Sequence, residues 1–404
     1  MDDKFHSACH LEHFAVALIA IVLTWLIVLG FLFSLSFLNP VERAFENFRM
    51  TDIFYDAENQ EEQKDTSGII TLVDMTDVFN RSRLAEVIEE IDAMDPAIMG
   101  IDIVFDGLRD DEVGNERLIE TVCNNIHSPV IWAYKLTDWS EEERRFTKAF
   151  HSFFVEEYGI DVEEGYTNVQ RDVNGGTVRS FGIKRKVQNH FEYSLPARLA
   201  VGLTGDSTVL KKYDDCTIRY TATVFPTIPF DSIAQNADLI RGHVVLLGAT
   251  SDKRDLHYTP LGHIAGVKIL AYTVQTIVNR EIPRGFPKWM TMFFTFIFIW
   301  IAELFQAGLT SRMKKSRFWI FHKVGEYDLV AEVVAIIYIV LLVGFDYYFF
   351  VNTNIYFNTA WTIMGVALLE TSCKIYALLR DAYNVQHNKK NKKQLNVFYF
   401  FVFL

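Results

Sequence analysis

Residues 68–105 read GIITLVDMTDVFNRSRLAEVIEEIDAMDPAIMGIDIVF and decide the predicted fold of this chain. The stretch begins and ends with apolar runs. Between them, apolar residues recur at helical spacing, at Leu84, Val87, Ile88 and Ile91. Asn80 or Ser82 can cap that helix, and Asp95-Pro96 ends it. Two apolar strands joined by one helix are the pattern of parallel strands with a crossover connection.

The same alternation continues beyond this stretch. Further apolar runs and helical patterns follow one another at residues 111–125, 129–136, 194–202, 243–250 and 267–278. We therefore predict an α/β domain with a mainly parallel central sheet. Residues 140–159 predict a helix or a loop with helical tendency, and residues 165–184 predict a hairpin that turns at Asn174-Gly175-Gly176.

Long apolar segments flank the domain, at residues 14–37 before it and at residues 289–309, 329–350 and 355–379 after it. Each is close to the ~20 residues that an α-helix needs to cross a bilayer. We predict four transmembrane helices, one before the domain and three after it. The first is predicted to stay uncleaved, because its leading residues are acidic and no small-residue cleavage site follows.

Lysine and arginine residues predict the orientation. They cluster in the loop 310–328 and in the tail 380–404, whereas VNTN, the connection between the last two spans, carries none. The positive-inside rule places the loop and the tail in the cytoplasm. The N-terminal residues 1–13 then also lie inside, and residues 38–287 lie outside as a domain with its core at 68–283.

The acidic balance of the chain belongs to this outer segment. Residues 39–287 hold 41 acidic and 26 basic side chains, a net charge of about −15. Such a charge does not suit a nucleic-acid partner, whereas the apolar segments require a lipid bilayer. Four cysteines are too few for a disulfide scaffold. Only Cys123 and Cys216 fall in the outer segment, and the sequence leaves a bridge between them open.

Together these pieces resemble the CHASE type-2 family, the extracellular sensory domains associated with cyclases and histidine kinases. The stretches that carry the resemblance are LVDMTD, DAMDPAIMGIDIVFDGLRDDE, SPVIWAYKL, GYTNVQRDVNGGTVRS, EYSLPARLAVGL, FPTIPFDSIAQ and RGHVVLLGATSDKRDLHYTPLGHIAGVKILAYTVQTIVN. One span before the domain and three after it are also typical of that family. The resemblance implies a sensory role at a bacterial inner membrane, with the domain in the periplasm.

Family members usually continue into a kinase, a cyclase or another output domain. Only about 25 residues follow the last predicted span here, which is too short for such a domain. We therefore expect the signal to pass to a second copy of this chain or to a separate signalling or membrane subunit.

Six polar residues are candidates for a ligand site. Strand ends supply Asp74, Asp102 and Asp106, and the loop after the last buried strand supplies Asp255, His257 and His263. The carboxyl edge of a parallel sheet is where ligands bind in α/β folds. Carboxylates with imidazole suit a divalent cation or an unknown polar small molecule. Helix capping by Asp74 and an Asx turn at Asp106 are the alternatives.

Two further groups of residues lie outside the domain. Cys9, His10 and His13 form a C-H-x-x-H cluster before the first span, without a fourth metal ligand. Within the spans, Glu303, Glu370 and Lys374 are the candidates for membrane coupling. Glu370 and Lys374 have the i, i+4 spacing of an ion pair, and Glu303 needs a partner such as Lys374 or Thr362.

The sequence favours a sensor or signalling subunit over two other functions. A structural or assembly subunit of an envelope complex is the main alternative. A metal-dependent hydrolase that uses Asp74, Asp102 and Asp106 is the third. No G-x-S-x-G, H-E-x-x-H or C-x-x-C signature is present, so no enzyme activity is predicted.

Overall fold

A computed structural model of the chain describes residues 2–32, 50–60, 65–78, 80–143, 145–169, 176–318, 329–357 and 359–389. The chain forms two compact units. One, here called the α/β domain, is Arg43–Arg284, and the other, the helical unit, combines Met1–Glu42 with Gly285–Leu404.

Thirteen described strands belong to the α/β domain: β1 (Ile70–Asp74), β2 (Ile98–Ile101), β3 (Val130–Ser140), β4 (Arg145–Phe150), β5 (Glu164–Tyr166), β6 (Ser180–Gly182), β7 (Lys184–Val187), β8 (His190–Tyr193), β9 (Asp215–Thr217), β10 (Thr227–Pro229), β11 (Val244–Gly248), β12 (Leu256–Thr259) and β13 (Gly262–Ala265). Two-residue strands occupy Arg284–Gly285 and Ile355–Tyr356.

The described α-helices are α1 (Asp2–Leu32), α2 (Met50–Asn59), α3 (Arg81–Asp92), α4 (Glu112–Glu120), α5 (Phe153–Glu156), α6 (Leu195–Thr204), α7 (Thr208–Lys212), α8 (Gly266–Val278), α9 (Lys288–Lys314), α10 (Leu329–Thr353), α11 (Thr359–Ala367) and α12 (Leu369–Lys389). A π-helical turn, Thr121–Asn125, follows α4, and 3₁₀ turns cover Ala234–Leu239 and Lys253–Asp255.

The central sheet has the order β10-β1-β11-β2-β3-β4, and β5 pairs with β3. Its neighbouring strands run parallel, except for the antiparallel pair β3 and β4. The α/β fold with a mostly parallel central sheet, predicted from the sequence, is confirmed. The sequence did not predict that β11, which comes late in the chain, would lie between β1 and β2.

Helices cover both faces of this sheet. On one face, α3 buries the predicted apolar stripe against Val245 and Leu247 of β11, and Asn80 caps the helix by accepting from the Ser82 and Arg83 amides. On the other face, α6 packs so closely that a Cβ on Gly100 of β2 would lie 2.6 Å from Leu199 Cδ1. Strands buried on both faces explain the nearly continuous apolar runs in the sequence.

Two local predictions were wrong. Residues 140–159 do not form one helix, because β3 continues to Ser140 and pairs with β4 before the short helix α5. The hairpin predicted for residues 165–184 does not form among the described residues, since β5 pairs with β3 and β6 pairs with β9. Its predicted turn at Asn174-Gly175-Gly176 lies partly outside the described residues. Cys123 and Cys216 are both free thiols, so the disulfide left open is not formed.

Among the described residues of the helical unit, two helices are long and apolar enough to cross a membrane, Trp289–Lys314 and Ala331–Thr353. A third span is counted if the pair Thr359–Ala367 and Leu369–Asn384, bent by 52°, is one broken helix. Within α1, the described apolar part is the shorter stretch Leu11–Leu26. Residues 33–37 of the first predicted span and residues 319–328 of the basic loop lie outside the described residues.

Small residues allow the helices of this unit to pack closely. Ala17 and Ala20 of α1 are fully buried, and they share a cluster with Ile299 and Val366. A Cβ on Gly365 would lie only 2.2 Å from Ile299 Cδ1, so a larger residue there would require the Ile299 side chain or the two helices α9 and α11 to shift. Close approach at small residues is typical of helices that associate in a bilayer.

Candidate functional site

A cavity of about 350 Å³ in the α/β domain brings together residues from five separate parts of the chain. It lies where β2, β3 and β5 meet the loop that follows β11. The polar residues of its wall that matter here are Asp102, Lys135, Tyr166, Thr167, Asp255 and His257. Three of these, Asp102, Asp255 and His257, are among the six residues proposed from the sequence.

Asp102 is the first residue after β2, and its amide donates to the carbonyl of Leu247 in β11. Its carboxyl group therefore starts at the carboxyl edge of the sheet, as expected. Burial raises the pKa of Asp102 to about 6, and the charge of Asp255 adds to the rise. The nearby Lys135 and His257 and the Thr167 hydroxyl act in the opposite direction. The carboxylate is thus held in a site that penalises its charge.

Asp255 and His257 enter the cavity from the start of the β12–β13 hairpin. His257 Nε2 lies 3.4 Å from Asp255 Oδ1, and Asp255 Oδ2 accepts from the Gly266 amide at 3.1 Å. A Cβ on Gly266 would lie 2.7 Å from Asp255 Oδ2, so glycine is needed for this approach. The carboxylate is therefore fixed to the first residue of α8, as a negative charge at a helix N-terminus is stabilised.

The sequence reading missed Lys135, Tyr166 and Thr167. Lys135 Nζ donates to the carbonyl of Thr167 at 3.1 Å, which uses one of its three N–H groups. The sequence contained a signal that could have marked Lys135 as a candidate, because its positive charge interrupts the otherwise apolar run PVIWAYKL of β3. Tyr166 ends the three-residue strand β5, and Thr167 follows it; such a strand is too short to be assigned from periodicity.

Three buried polar atoms of the cavity residues have no hydrogen-bond partner among the described residues. They are His257 Nδ1, Tyr166 Oη and Thr167 Oγ1. The Thr167 hydroxyl is near enough to Asp102 to lower its pKa, yet it makes no hydrogen bond of ordinary geometry. Buried polar groups are normally paired with protein, water or ligand. The cavity wall therefore presents hydrogen-bonding capacity that the described residues do not use.

Asp74 does not join this group, contrary to the sequence hypothesis. Because β11 lies between β1 and β2, Asp74 and Asp102 are two strand spacings apart, ~10 Å. Asp74 Oδ1 accepts hydrogen bonds from the amide and the hydroxyl of Thr76 and from the Thr250 amide. Burial alone would raise the pKa of Asp74, but these hydrogen bonds outweigh it and lower the pKa. The described contacts give Asp74 the role of tying two loops together. The helix-capping alternative does not hold either, because Asn80 caps the following helix, α3.

Asp106 and His263 also lie away from the cavity. Asp106 is exposed, four residues beyond Asp102, next to Gly107 at a φ of +135°. His263 is exposed and packs edge-on against Tyr258, its partner in the hairpin register. Side chains alternate between the faces of a strand, so His263 and Tyr258 occupy the face opposite to His257.

No group of three or more His, Cys, Asp or Glu side chains in the described parts of the chain is arranged to hold a metal ion. Asp102, Asp255 and His257 therefore do not meet the geometric requirement for the divalent cation considered from the sequence. The side chains of Cys9 and His10, the other candidates for metal ligation, lie outside the described residues.

A second polar cluster of the domain differs from the cavity because its groups satisfy one another. Glu164 accepts from the Ser152 amide and lies 2.6 Å from His151 Nδ1. Glu192 accepts from the Tyr134 hydroxyl and lies 2.7 Å from His190 Nε2. The hydrogen bond to Glu164 raises the pKa of His151. These carboxylates are paired within the protein and do not offer a site.

In the helical unit, Glu303 contacts neither of the partners proposed from the sequence in the described structure. Glu303 Oε1 lies 3.1 Å from His13 Nδ1, and Cys373 Sγ lies 3.8 Å from both carboxylate oxygens. Thr362 instead donates to Thr295, and Lys374 pairs with Glu370 at the predicted i, i+4 spacing. Glu303 is buried, whereas the pair of Glu370 and Lys374 is largely exposed.

Comparison with known protein families identifies the domain. The CHASE2 domain matches residues 21–308, which is well over half of the chain. The chain belongs to the CHASE2 domain family. The resemblance seen in the sequence is confirmed, and a CHASE2 sensory domain joined to candidate membrane helices is consistent with a membrane-associated sensor. Searches of curated proteins and of solved structures gave no significant match.

Proposed function

We propose that this CHASE2 protein is a membrane-anchored extracytoplasmic sensor subunit that binds a ligand in the cavity and passes the signal to a separate protein or to a second copy of itself. The observation that supports this proposal is that α8 begins at the wall of the cavity. Gly266 and Leu270 of this helix line the cavity, and Gly266 holds Asp255 through its amide. A ligand that moves Asp255 therefore acts on the N-terminus of α8.

The chain order supports the direction of this signal. Only residues 279–287 separate α8 from α9, a candidate membrane span, and they include Pro283 and Pro287. Proline restricts the backbone and shortens the range of motion that a linker absorbs. Movement of α8 is in this way expected to reach the helix that carries Glu303.

The proposed topology follows from the basic residues. Arg312, Lys314, Lys315 and Arg317 lie at and after the end of α9. The positive-inside rule favours a cytoplasmic position for this end, with both termini inside and the α/β domain outside. We propose four spans in the inner membrane of a bacterial cell, with the domain in the periplasm.

The function is tested by photo-crosslinking in living cells. A photoreactive amino acid replaces Ser316, beside the basic end of α9, and crosslinked proteins are identified by mass spectrometry. We expect one specific partner, or the chain itself, and a change in crosslinking yield for Asp102→Asn but not for Asp106→Asn. A specific partner whose crosslinking yield is the same in the wild type and in Asp102→Asn would support the assembly role instead. The absence of any crosslink would contradict the sensor proposal.

A further inference from the structure

The cavity wall carries acceptors on one side and donors on another. Asp102 and Asp255 contribute carboxylate oxygens, and His257 contributes Nδ1. His257 Nε2 faces Asp255 Oδ1 at 3.4 Å, and in the neutral tautomer with its proton on Nε2 the ring presents Nδ1 as an acceptor. A primary ammonium group has three N–H donors, and this wall offers it three acceptor groups, two carboxylates and one imidazole nitrogen.

Lys135 supplies hydrogen-bond donors and a positive charge to the wall of the cavity. One of its N–H groups is used by the Thr167 carbonyl, and two remain for another acceptor. The hydroxyl groups of Tyr166 and Thr167 lie in the same wall and make no hydrogen bond of ordinary geometry to the described residues, and both residues are more than nine-tenths buried. An ammonium and two hydroxyl groups together suit a carboxylate or a similar small anion.

The charges of the wall leave room for an added cation. Arg185 also lines the cavity, but its guanidinium pairs with Asp215 and donates to the carbonyls of Lys184 and Asp214. Among the described residues that line the cavity, Lys135 is then the lysine or arginine left to face the carboxylates of Asp102 and Asp255. Burial holds the pKa of Asp102 near 6, so a bound cation would stabilise the ionised form that the empty wall disfavours.

The size and the apolar part of the wall limit the ligand further. The cavity measures about 350 Å³, near the lower end of the range for small-molecule sites. Phe146, Val169 and Leu270 add apolar surface. No described group of side chains is arranged for a metal ion, which argues against a bare divalent cation.

We infer that the cavity binds a small zwitterion, an α-amino acid or a molecule of the same chemistry, with its ammonium group at Asp102, Asp255 and His257 and its carboxylate at Lys135. This inference rests on the proposed sensor function and specifies its ligand. The apolar residues of the wall would contact the side chain of the amino acid.

The test uses the full chain in lipid nanodiscs. The twenty L-amino acids are first compared by thermal unfolding, and the one that raises the midpoint most is studied by calorimetry. The N-acetyl derivative of this amino acid lacks the ammonium cation, and its C-terminal amide lacks the carboxylate anion. Both derivatives are expected to bind about 10- to 100-fold more weakly, because each leaves a charged partner in the wall unpaired.

Three variants locate the binding. Asp102→Asn and Lys135→Met are expected to weaken binding about tenfold or more, and Asp106→Asn, the exposed control, to leave it within about twofold. Wild-type protein with the two derivatives keeps the test decisive if a variant fails to fold. An N-acetyl derivative or an amide that binds as tightly as the amino acid itself overturns the zwitterion assignment.

The failure of this inference is distinguishable from the failure of the sensor function. If no amino acid binds but a sugar, an organic acid or Mg²⁺ raises the unfolding midpoint of wild type and not of Asp102→Asn, the ligand class is wrong and the sensor function stands. If none of these probes binds, and the crosslinking yield at Ser316 is also unchanged by Asp102→Asn, then both the proposed ligand class and the proposed sensor function are wrong.

Discussion

His13 Nδ1 lies 3.1 Å from Glu303 Oε1, although 290 positions separate the two residues in the chain. The contact joins α1 to α9 inside the helical unit, where Glu303 is only 5% exposed. A carboxylate at such a position requires a partner, because its charge is poorly solvated. The first helix of the chain is therefore bound to the later helices by a specific polar contact as well as by apolar packing.

Breaking this contact from one side should be more harmful than removing it altogether. His13→Ala leaves Glu303 buried without its main partner, and we expect a loss of about 3–5 kcal/mol in the stability of the helical unit. His13→Leu combined with Glu303→Gln should lose clearly less. Thermal unfolding in nanodiscs measures both.

The matched control for this prediction is Glu370→Gln. Its carboxylate pairs with Lys374 on one exposed helix face, so we expect a change of only about 0.3–0.5 kcal/mol. Equal effects of His13→Ala and Glu370→Gln would show that the contact between α1 and α9 contributes nothing special.

The topology can be tested with a native cysteine. Cys123 is exposed on the α/β domain, whereas Cys216 is buried. An impermeant maleimide should therefore label the wild-type chain in intact cells and should not label Cys123→Ser. Ser67, although it lies at the start of the domain, is a poor labelling site because it is buried and accepts from the Ile70 amide.

The cytoplasmic side is tested in a background in which Cys9, Cys123 and Cys373 are replaced by serine, so that Ser316→Cys is the accessible thiol among the described residues. Ser316→Cys should stay unlabelled in intact cells and react after permeabilisation. Labelling of Ser316→Cys in intact cells, together with protection of Cys123, would invert the proposed orientation.

The raised pKa of Asp102 predicts an unusual pH dependence. Since the pKa of the folded state, about 6, exceeds the ordinary value of 3.8, the folded chain holds this proton more tightly than the unfolded chain. The contribution of Asp102 to stability therefore falls as the pH rises from about 4 to about 6 and stays unfavourable above it. Asp102→Asn removes this charge.

We expect Asp102→Asn to be more stable than wild type by about 1–3 kcal/mol at pH 7.5, with a smaller difference at pH 4.5. Thermal unfolding of both proteins at the two pH values measures this, and Asp106→Asn should follow wild type at each. A variant that is less stable at pH 7.5 would mean that the Asp102 carboxylate is stabilised where it lies.

Gly266 tests the link between the cavity and α8. Gly266→Ala places a Cβ within 2.7 Å of Asp255 Oδ2, so the carboxylate has to move away from the helix N-terminus. We expect ligand binding to weaken about tenfold through the loss of this charge-assisted position. Gly68→Ala, where a Cβ meets nothing within 4 Å, is the control and should bind as wild type does. Unchanged affinity of Gly266→Ala would remove Asp255 from the site.

The proposed complex has a direct physical signature. Purified in a mild detergent, the protein should have a mass above that of one chain, 46.7 kDa, because it associates with itself or with a second subunit. Deleting residues 380–404 tests whether the basic tail contributes to this association. A monomer with no co-purifying protein, and with no effect of the deletion in cells, would leave only a tethered domain.

Local patterns in the sequence determined much of the fold. The apolar stripe of α3, its cap at Asn80 and the apolar runs of β1, β2 and β11 reflect burial on particular faces, which is a property of neighbouring residues. The position of Asp102 at the carboxyl edge follows from the same patterns. The apolar helices after the domain could be recognised because crossing a bilayer requires length and apolarity alone.

Only the tertiary structure decided which of the candidate residues meet. The place of β11 between β1 and β2 separates Asp74 from Asp102, and strand order in a sheet cannot be read from strand order in the chain. Lys135 and Tyr166 reach the cavity because β3 pairs with β5 in register, a long-range choice that no local pattern encodes. His13 and Glu303 meet for the same reason, since packing between distant helices depends on the shape of both surfaces. Local patterns therefore determined the elements and their edges, and long-range packing determined the site.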